Sequence, residues 1–276
     1  MIGPSSPQLL KERVMSTTIR FRVLSSLLLL ALAGQASAGT LRVGATPVPA
    51  GELLDFVKPL LARQGVTLIV REFSDYVQPN VALGEGSLDA NLFQHQPYLD
   101  AFQQNRPLNI VPVTKVYLPP LGLYSKRVTK VTELRRGATL AIPNDPSNGA
   151  RALLLLERAG LIRLKPGAGV RANLTDIVSN VKQLRFRELE AAQLPRSLAD
   201  VDAAIINTNY ALEVGLNPTQ DAIFREGPNS VYVNILATTR SQRNNPDLKK
   251  LAQALTSPEA KAWLLKKYGG SIIPAF

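Results

Sequence analysis

His95 is the only histidine in 276 residues, and it stands in the run ANLFQHQPY, residues 90–98, among Phe93, Gln94, Gln96 and Tyr98. An imidazole can move a proton or ligate a metal, yet both tasks need partners. The sequence holds no cysteine and no second histidine, so metal sites and the Cys/His and Ser/His nucleophile schemes lack their usual parts. Asp89 and Asp100 lie several residues from His95, so no carboxylate of its own segment is set to orient the ring for general acid/base work. With Tyr76 upstream, Phe93, His95 and Tyr98 can instead wall a flat apolar slot with polar handles. Core packing is the ordinary fate of such aromatics; the glutamines around them argue for a pocket.

A second cluster lies in IPNDPSNGARALLLLE, residues 142–157. Pro143 and Pro146 stiffen a strand-to-helix turn, Ser147 or Asn148 can cap the helix, and Gly149 allows close backbone approach. The free N–H groups of a first helical turn bind anions. Arg151, expected in that turn, can clamp a carboxylate bidentately. Two plainer readings stay open: Asn148 only caps, and Arg151 only pairs with a neighbouring acid. Asn207 and Asn209 follow the apolar run of residues 203–206, at the sheet edge where α/β proteins bind ligands. Asn234 interrupts an apolar strand, where an unpaired amide costs ~1 to 3 kcal/mol.

The elements that must position these groups follow from hydrophobic periodicity. Residues 41–46 and 66–70 read as strands around a helix over 52–63, a β-α-β unit. Helices over 78–84 and 97–104 then alternate with strands over 90–93 and 110–116, which implies a parallel sheet flanked by helices. After Leu118-Pro119-Pro120 the alternation restarts: strands over 139–142, 181–186 and 203–206, helices over 148–159 and 187–194. A strand over 231–238 and helices over 247–255 and 258–268 return to the first lobe. The expected architecture is α/β, with lobe 1 at 39–118 plus 236–276, lobe 2 at 124–227, and hinge crossings at 119–123 and 228–235. Paired crossings make a hinge with a central ligand cleft.

Arg20 and Arg22 precede an apolar run over 23–33, and Ala36-Ser37-Ala38 supplies a small-x-small cleavage site. Residues 1–38 thus read as an upstream extension and a signal peptide cleaved near Ala38, with Met1 or Met15 as the start. The run is too short to span a membrane. A lipoprotein needs a cysteine just after its signal, so the expectation is a free periplasmic protein without disulfides. Net charge is +11, but the basic residues are scattered and export argues against nucleic-acid binding.

The motifs GTLRVGATPVPAGELL, DYVQPN, DANLFQHQPYLD, IPNDPSNGARALLLL, INTNYA and SVYVNILA resemble the NlpA-type, methionine-binding substrate-binding proteins of ABC importers. The resemblance runs in order from about Gly39 to Phe276. It implies a two-lobed periplasmic binding protein fold, type II-like, that closes on free methionine and hands it to a permease and ATPase complex. Under it Tyr76, Phe93, His95 and Tyr98 enclose the thioether side chain, Asn148 and Arg151 hold the carboxylate, and Asn207 and Asn234 bind the head group. Asn209 has no assigned role. The expectation is a monomer with no metal, no cofactor and no catalytic residue, with D-methionine, a methionine dipeptide or another amino acid as alternatives to L-methionine. A periplasmic lyase or dehydratase on the same scaffold is the competing reading. Two departures stand out: the lipid-attachment cysteine is missing, and Leu92 replaces an aromatic common in the family, which would reshape the slot.

Overall fold

The computed structural model describes residues Gly39–Phe276. The expected signal peptide and upstream extension lie outside the described residues. Among the described residues, no helix is long and apolar enough to cross a membrane.

The first lobe opens with β1 (Gly39–Ala45), α1 (Glu52–Ala62) and β2 (Val66–Glu72), with β1 and β2 parallel. α2 (Gln78–Gly84) leads into β3 (Ala90–His95), α3 (Gln96–Asn105) and β4 (Ile110–Leu118). The chain then passes to the second lobe through Pro119, Pro120 and Leu121. There β5 (Gly122–Tyr124), β6 (Thr139–Pro143), α4 (Pro146–Arg158), a small hairpin of β7 (Arg163–Leu164) and β8 (Ile177–Ser179), β9 (Arg185–Leu189), α5 (Leu194–Ser197), β10 (Ala203–Ile206), α6 (Thr208–Glu213) and β11 (Phe224–Arg225) follow. β12 (Asn234–Thr239), α7 (Pro246–Leu255), α8 (Pro258–Tyr268) and β13 (Ile273–Pro274) complete the first lobe.

The six-stranded sheet has the order β13-β4-β12-β3-β1-β2 and the five-stranded sheet β11-β5-β10-β6-β9. Both are mixed, where sequence periodicity implied parallel strands. β12 enters from the other lobe and wedges antiparallel between β3 and β4, because a strand arriving from there runs back along its neighbours. Gly122 and Asn234 already pair within sheets, so both strands begin inside the expected crossings.

Helices cover both faces of each sheet. Leu53, Leu54, Val57 and Leu61 of α1 pack with Leu248, Leu251 and Leu264 on one face of the first sheet, while Leu83 and Leu99 close the other. In the second lobe α4 covers one face through Leu153 and Leu156, and Leu194, Leu198 and Tyr210 cover the other.

The helix expected over 187–194 does not form. FRELEAAQL spaces its apolar residues helically, yet Arg185–Leu189 pair in parallel with all five residues of β6, and sheet pairing overrides local preference. Helical structure begins only with a 3₁₀ turn at Ala191–Gln193, which runs into the α-helix at Leu194, with Pro195 in its first turn.

Leu236 sits fully buried in β12 at the centre of the first lobe. Leu236→Ala is expected to cost about 2 to 5 kcal/mol, read as the shift in a urea unfolding curve; a loss below about 1 kcal/mol would mean that the core relaxes around the cavity.

Candidate functional site

The parallel strands of the two sheets aim their carboxyl ends at one another, and the expected residues sit there. Tyr76 follows β2 and His95 ends β3, while Asn148 follows β6 and Asn207 directly follows β10. Asn234 opens β12 and registers opposite His95. All eight expected residues line one cavity, together with Gln94, Pro119, Thr208 and Asn209. As the lobes stand, the cavity leaves about 20 Å³ to the centre of a water-sized sphere, little more than a single water needs.

One wall is aromatic. The rings of Tyr76, Phe93 and Tyr98 lie 5.8 to 6.0 Å apart, centre to centre, within the range of favourable tilted and edge contacts. Behind this wall Asn80, Asn91 and Gln94 form a buried amide network: Asn80 and Gln94 exchange bonds of 2.8 and 2.7 Å, and Asn91 donates to Asn80 at 2.9 Å. These amides leave β3 little freedom to shift.

His95 is an N-cap. Its Nδ1 accepts from the Tyr98 N–H at 3.1 Å, which puts the ring proton on Nε2, 3.3 Å from Asn148 Oδ1. Burial first, and then the Arg151 charge, pull the His95 pKa down to about 3. The ring is therefore neutral at pH 7, and its only basic nitrogen faces backbone.

The other wall corrects several expectations. Asp145, rather than Ser147 or Asn148, caps α4: its carboxylate accepts from the Asn148 N–H at 2.9 Å, because Pro146 takes the first helical position and leaves the cap to the residue before it. The helix end thus already holds a carboxylate, its own, and burial raises the Asp145 pKa. Gly149 serves packing: a Cβ there would lie 3.1 Å from the Pro143 carbonyl. Leu92 points into the first lobe's core, away from the cavity, so it does not reshape the slot.

Arg151 falls in the second turn of α4 and is only 1% exposed. Its Nε donates to Glu226 Oε1 at 2.9 Å, and its Nη2 donates to Glu226 Oε2 and to the Pro119 carbonyl. The guanidinium also lies 4.6 Å from the Tyr232 ring centre. Sequence reading missed Glu226 and Tyr232; an acid 75 positions from its partner leaves no spacing signal.

Asn148 ties the walls together. Its Nδ2 donates to Asp145 at 3.0 and 3.1 Å, while its Oδ1 accepts from Asn207 at 2.9 Å. Asn234 donates to the Phe93 carbonyl at 2.9 Å. Tyr76 donates across the cleft to Asn209, and Tyr210 to the Ser74 carbonyl at 3.0 Å. Asn207 Oδ1 and Asn209 Nδ2, an acceptor and a donor, are buried with no protein partner.

Paired lobes, two crossings and a cleft with one aromatic and one polar wall define a two-lobed α/β substrate-binding protein. A model of the family described as NlpA lipoprotein matches residues 41–276, and the chain belongs to that family. The D-methionine-binding lipoprotein MetQ of Salmonella typhimurium is 43% identical over 213 residues, which cover 76% of this chain and 79% of that one. The probable D-methionine-binding lipoprotein MetQ of Vibrio cholerae is 45% identical over 201 residues, covering 72% and 75%. Among solved structures, a nutrient binding protein from Burkholderia cenocepacia bound to methionine is 48% identical with a TM-score of 0.83, covering 86% of this chain and all of that one.

The lowered His95 pKa carries a stability prediction. Below pH ~6.5 the unfolded chain takes up a proton that the folded protein refuses until about pH 3, so stability falls as pH drops through this window. Between pH 7 and pH 5 wild type should lose about 2 kcal/mol more than His95→Asn, measured by denaturant unfolding at both values. Equal losses in the two proteins would refute the assignment.

Proposed function

We propose that this protein captures free methionine, the L-enantiomer first, in the interlobe cavity and delivers it to the permease and ATPase complex of an ABC importer. It acts as a monomeric periplasmic binding protein without a cofactor or catalytic step. The observation that carries this reading is one cavity combining an aromatic wall, a buried guanidinium and orphaned amide atoms. A thioether is apolar and polarizable, which suits Tyr76, Phe93 and Tyr98 with the neutral edge of His95. The guanidinium edge of Arg151 not used by Glu226 is assigned to the carboxylate, beside Asn148, whose amide nitrogen is held by Asp145. Asn207 Oδ1 supplies an acceptor for the ammonium beside Asn234, and Asn209 Nδ2 adds a donor. Residues 39–118 with 236–276 and residues 124–227 act as the two closing lobes.

The methionine-bound relative and the methionine-named relatives support this ligand class. The Salmonella typhimurium and Vibrio cholerae relatives are named for D-methionine, which makes D-methionine the second reading. A lyase or dehydratase is disfavoured, because the accepting nitrogen of His95 is spent on a backbone N–H.

Isothermal calorimetry on protein freed of ligand by unfolding and refolding should give a dissociation constant below ~1 μM for L-methionine. Tighter binding of D-methionine would reverse the order of the enantiomers, and no heat with either would remove the proposal. Arg151→Ala should weaken binding by at least ~2 kcal/mol, roughly 30-fold; unchanged affinity in the folded variant would put the carboxylate elsewhere.

A further inference from the structure

Glu226 does not line the cavity, yet it determines what Arg151 presents there. Arg151 is the only charged side chain among the twelve residues that line it, His95 being neutral. Two of its three guanidinium nitrogens are committed to Glu226, and the side chains of the pair are 1% and 3% exposed. Glu226 is also fixed from behind: Leu121 donates its N–H to Oε2 at 3.1 Å, and the Glu226 N–H donates to the Leu121 carbonyl at 2.9 Å. The carboxylate is thus held on both oxygens and shielded from water.

A buried carboxylate held this close offsets most of the guanidinium's positive field in the cavity, since charges interact strongly where water is excluded. A ligand carboxylate approaching the free edge of Arg151 meets an almost neutral pair. Its own charge remains uncompensated unless the ligand also brings a cation. Buried Asp145 on the adjoining loop acts in the same direction where it is ionised.

We infer that Glu226 is a specificity-determining residue: it cancels the charge of Arg151 so that the cavity accepts an amino acid as a zwitterion and rejects the same skeleton as an anion. This rests on the methionine reading and adds a residue that the cavity lining alone does not reveal. Arg151 gives the carboxylate directional hydrogen bonds, while Glu226 withholds the excess positive charge that would attract any organic acid.

The test compares L-methionine with its des-amino analogue, which keeps the thioether and carboxylate and lacks the ammonium. Wild type should prefer methionine by at least ~100-fold. Glu226→Gln keeps the shape and loses the charge, and should cut that preference by about 10-fold or more, chiefly by strengthening the analogue. Glu226→Asp keeps the charge and should retain the wild-type ratio. An unchanged ratio in folded Glu226→Gln overturns the inference, as does an equal shift in Glu226→Asp, which would mark a packing effect. Should Glu226→Gln not fold, wild type binding both compounds equally overturns it as well. A wild type that ignores methionine altogether instead overturns the ligand reading, before any variant is compared.

Discussion

The buried Arg151–Glu226 pair is the constraint on which the site depends. Taking two charges out of water is costly, and a pair survives there only when geometry and further hydrogen bonds compensate both. Here the Pro119 carbonyl, the Leu121 N–H and the Tyr232 ring supply that compensation. Every one of these groups belongs to a segment that runs between the two sheets. The pair therefore binds helix α4 of one lobe to both passages of the chain between the sheets. Thr208, at the start of α6, adds a further tie through its hydroxyl to the Pro120 carbonyl.

Much of this fold was legible because hydrophobic periodicity reports burial directly. Residues 203–206 and 258–268 match β10 and α8 end to end, the first as a short apolar run and the second as a helix with Ser257 before it and Gly269 after it. Segments that failed were ones where a distant partner decides. FRELEAAQL has helical spacing and becomes an edge strand because β6 lies beside it. The direction of β12 depends on the lobe from which it arrives, a property no local window contains.

The candidate site divides in the same way. Residue types at turns could be read, since an aromatic-rich strand end and a Pro-stiffened helix entry are local patterns, and the cavity gathers their residues with Asn207 and Asn234, which the family resemblance adds. Which groups already spend their hydrogen bonds on one another could not be read. Asp145 occupies the helix end considered for an anion, and Glu226 occupies two nitrogens of the arginine considered for a carboxylate. The plainer reading of Arg151, pairing with an acid, is what the structure shows, and Arg151 still lines the cavity while so paired.

Asn148 shows why such a cleft is better described as a network than as a set of contacts. Its amide nitrogen is held by Asp145 at the helix cap, and its oxygen lies between Asn207 and the protonated nitrogen of His95. His95 is in turn oriented by the N–H of Tyr98. Helix cap, cavity amides and aromatic wall are therefore linked through one side chain, across both lobes. Polar groups joined in this manner polarise and orient one another, so deletions within the network do not add. The unpartnered Asn207 oxygen stands at its edge. A ligand cation on that oxygen would complete a chain running from Asp145 to the bound molecule, and the same contact would favour the arrangement in which the lobes meet. In the proposed complex, recognition of the ammonium and closure of the cleft would draw on one set of hydrogen bonds.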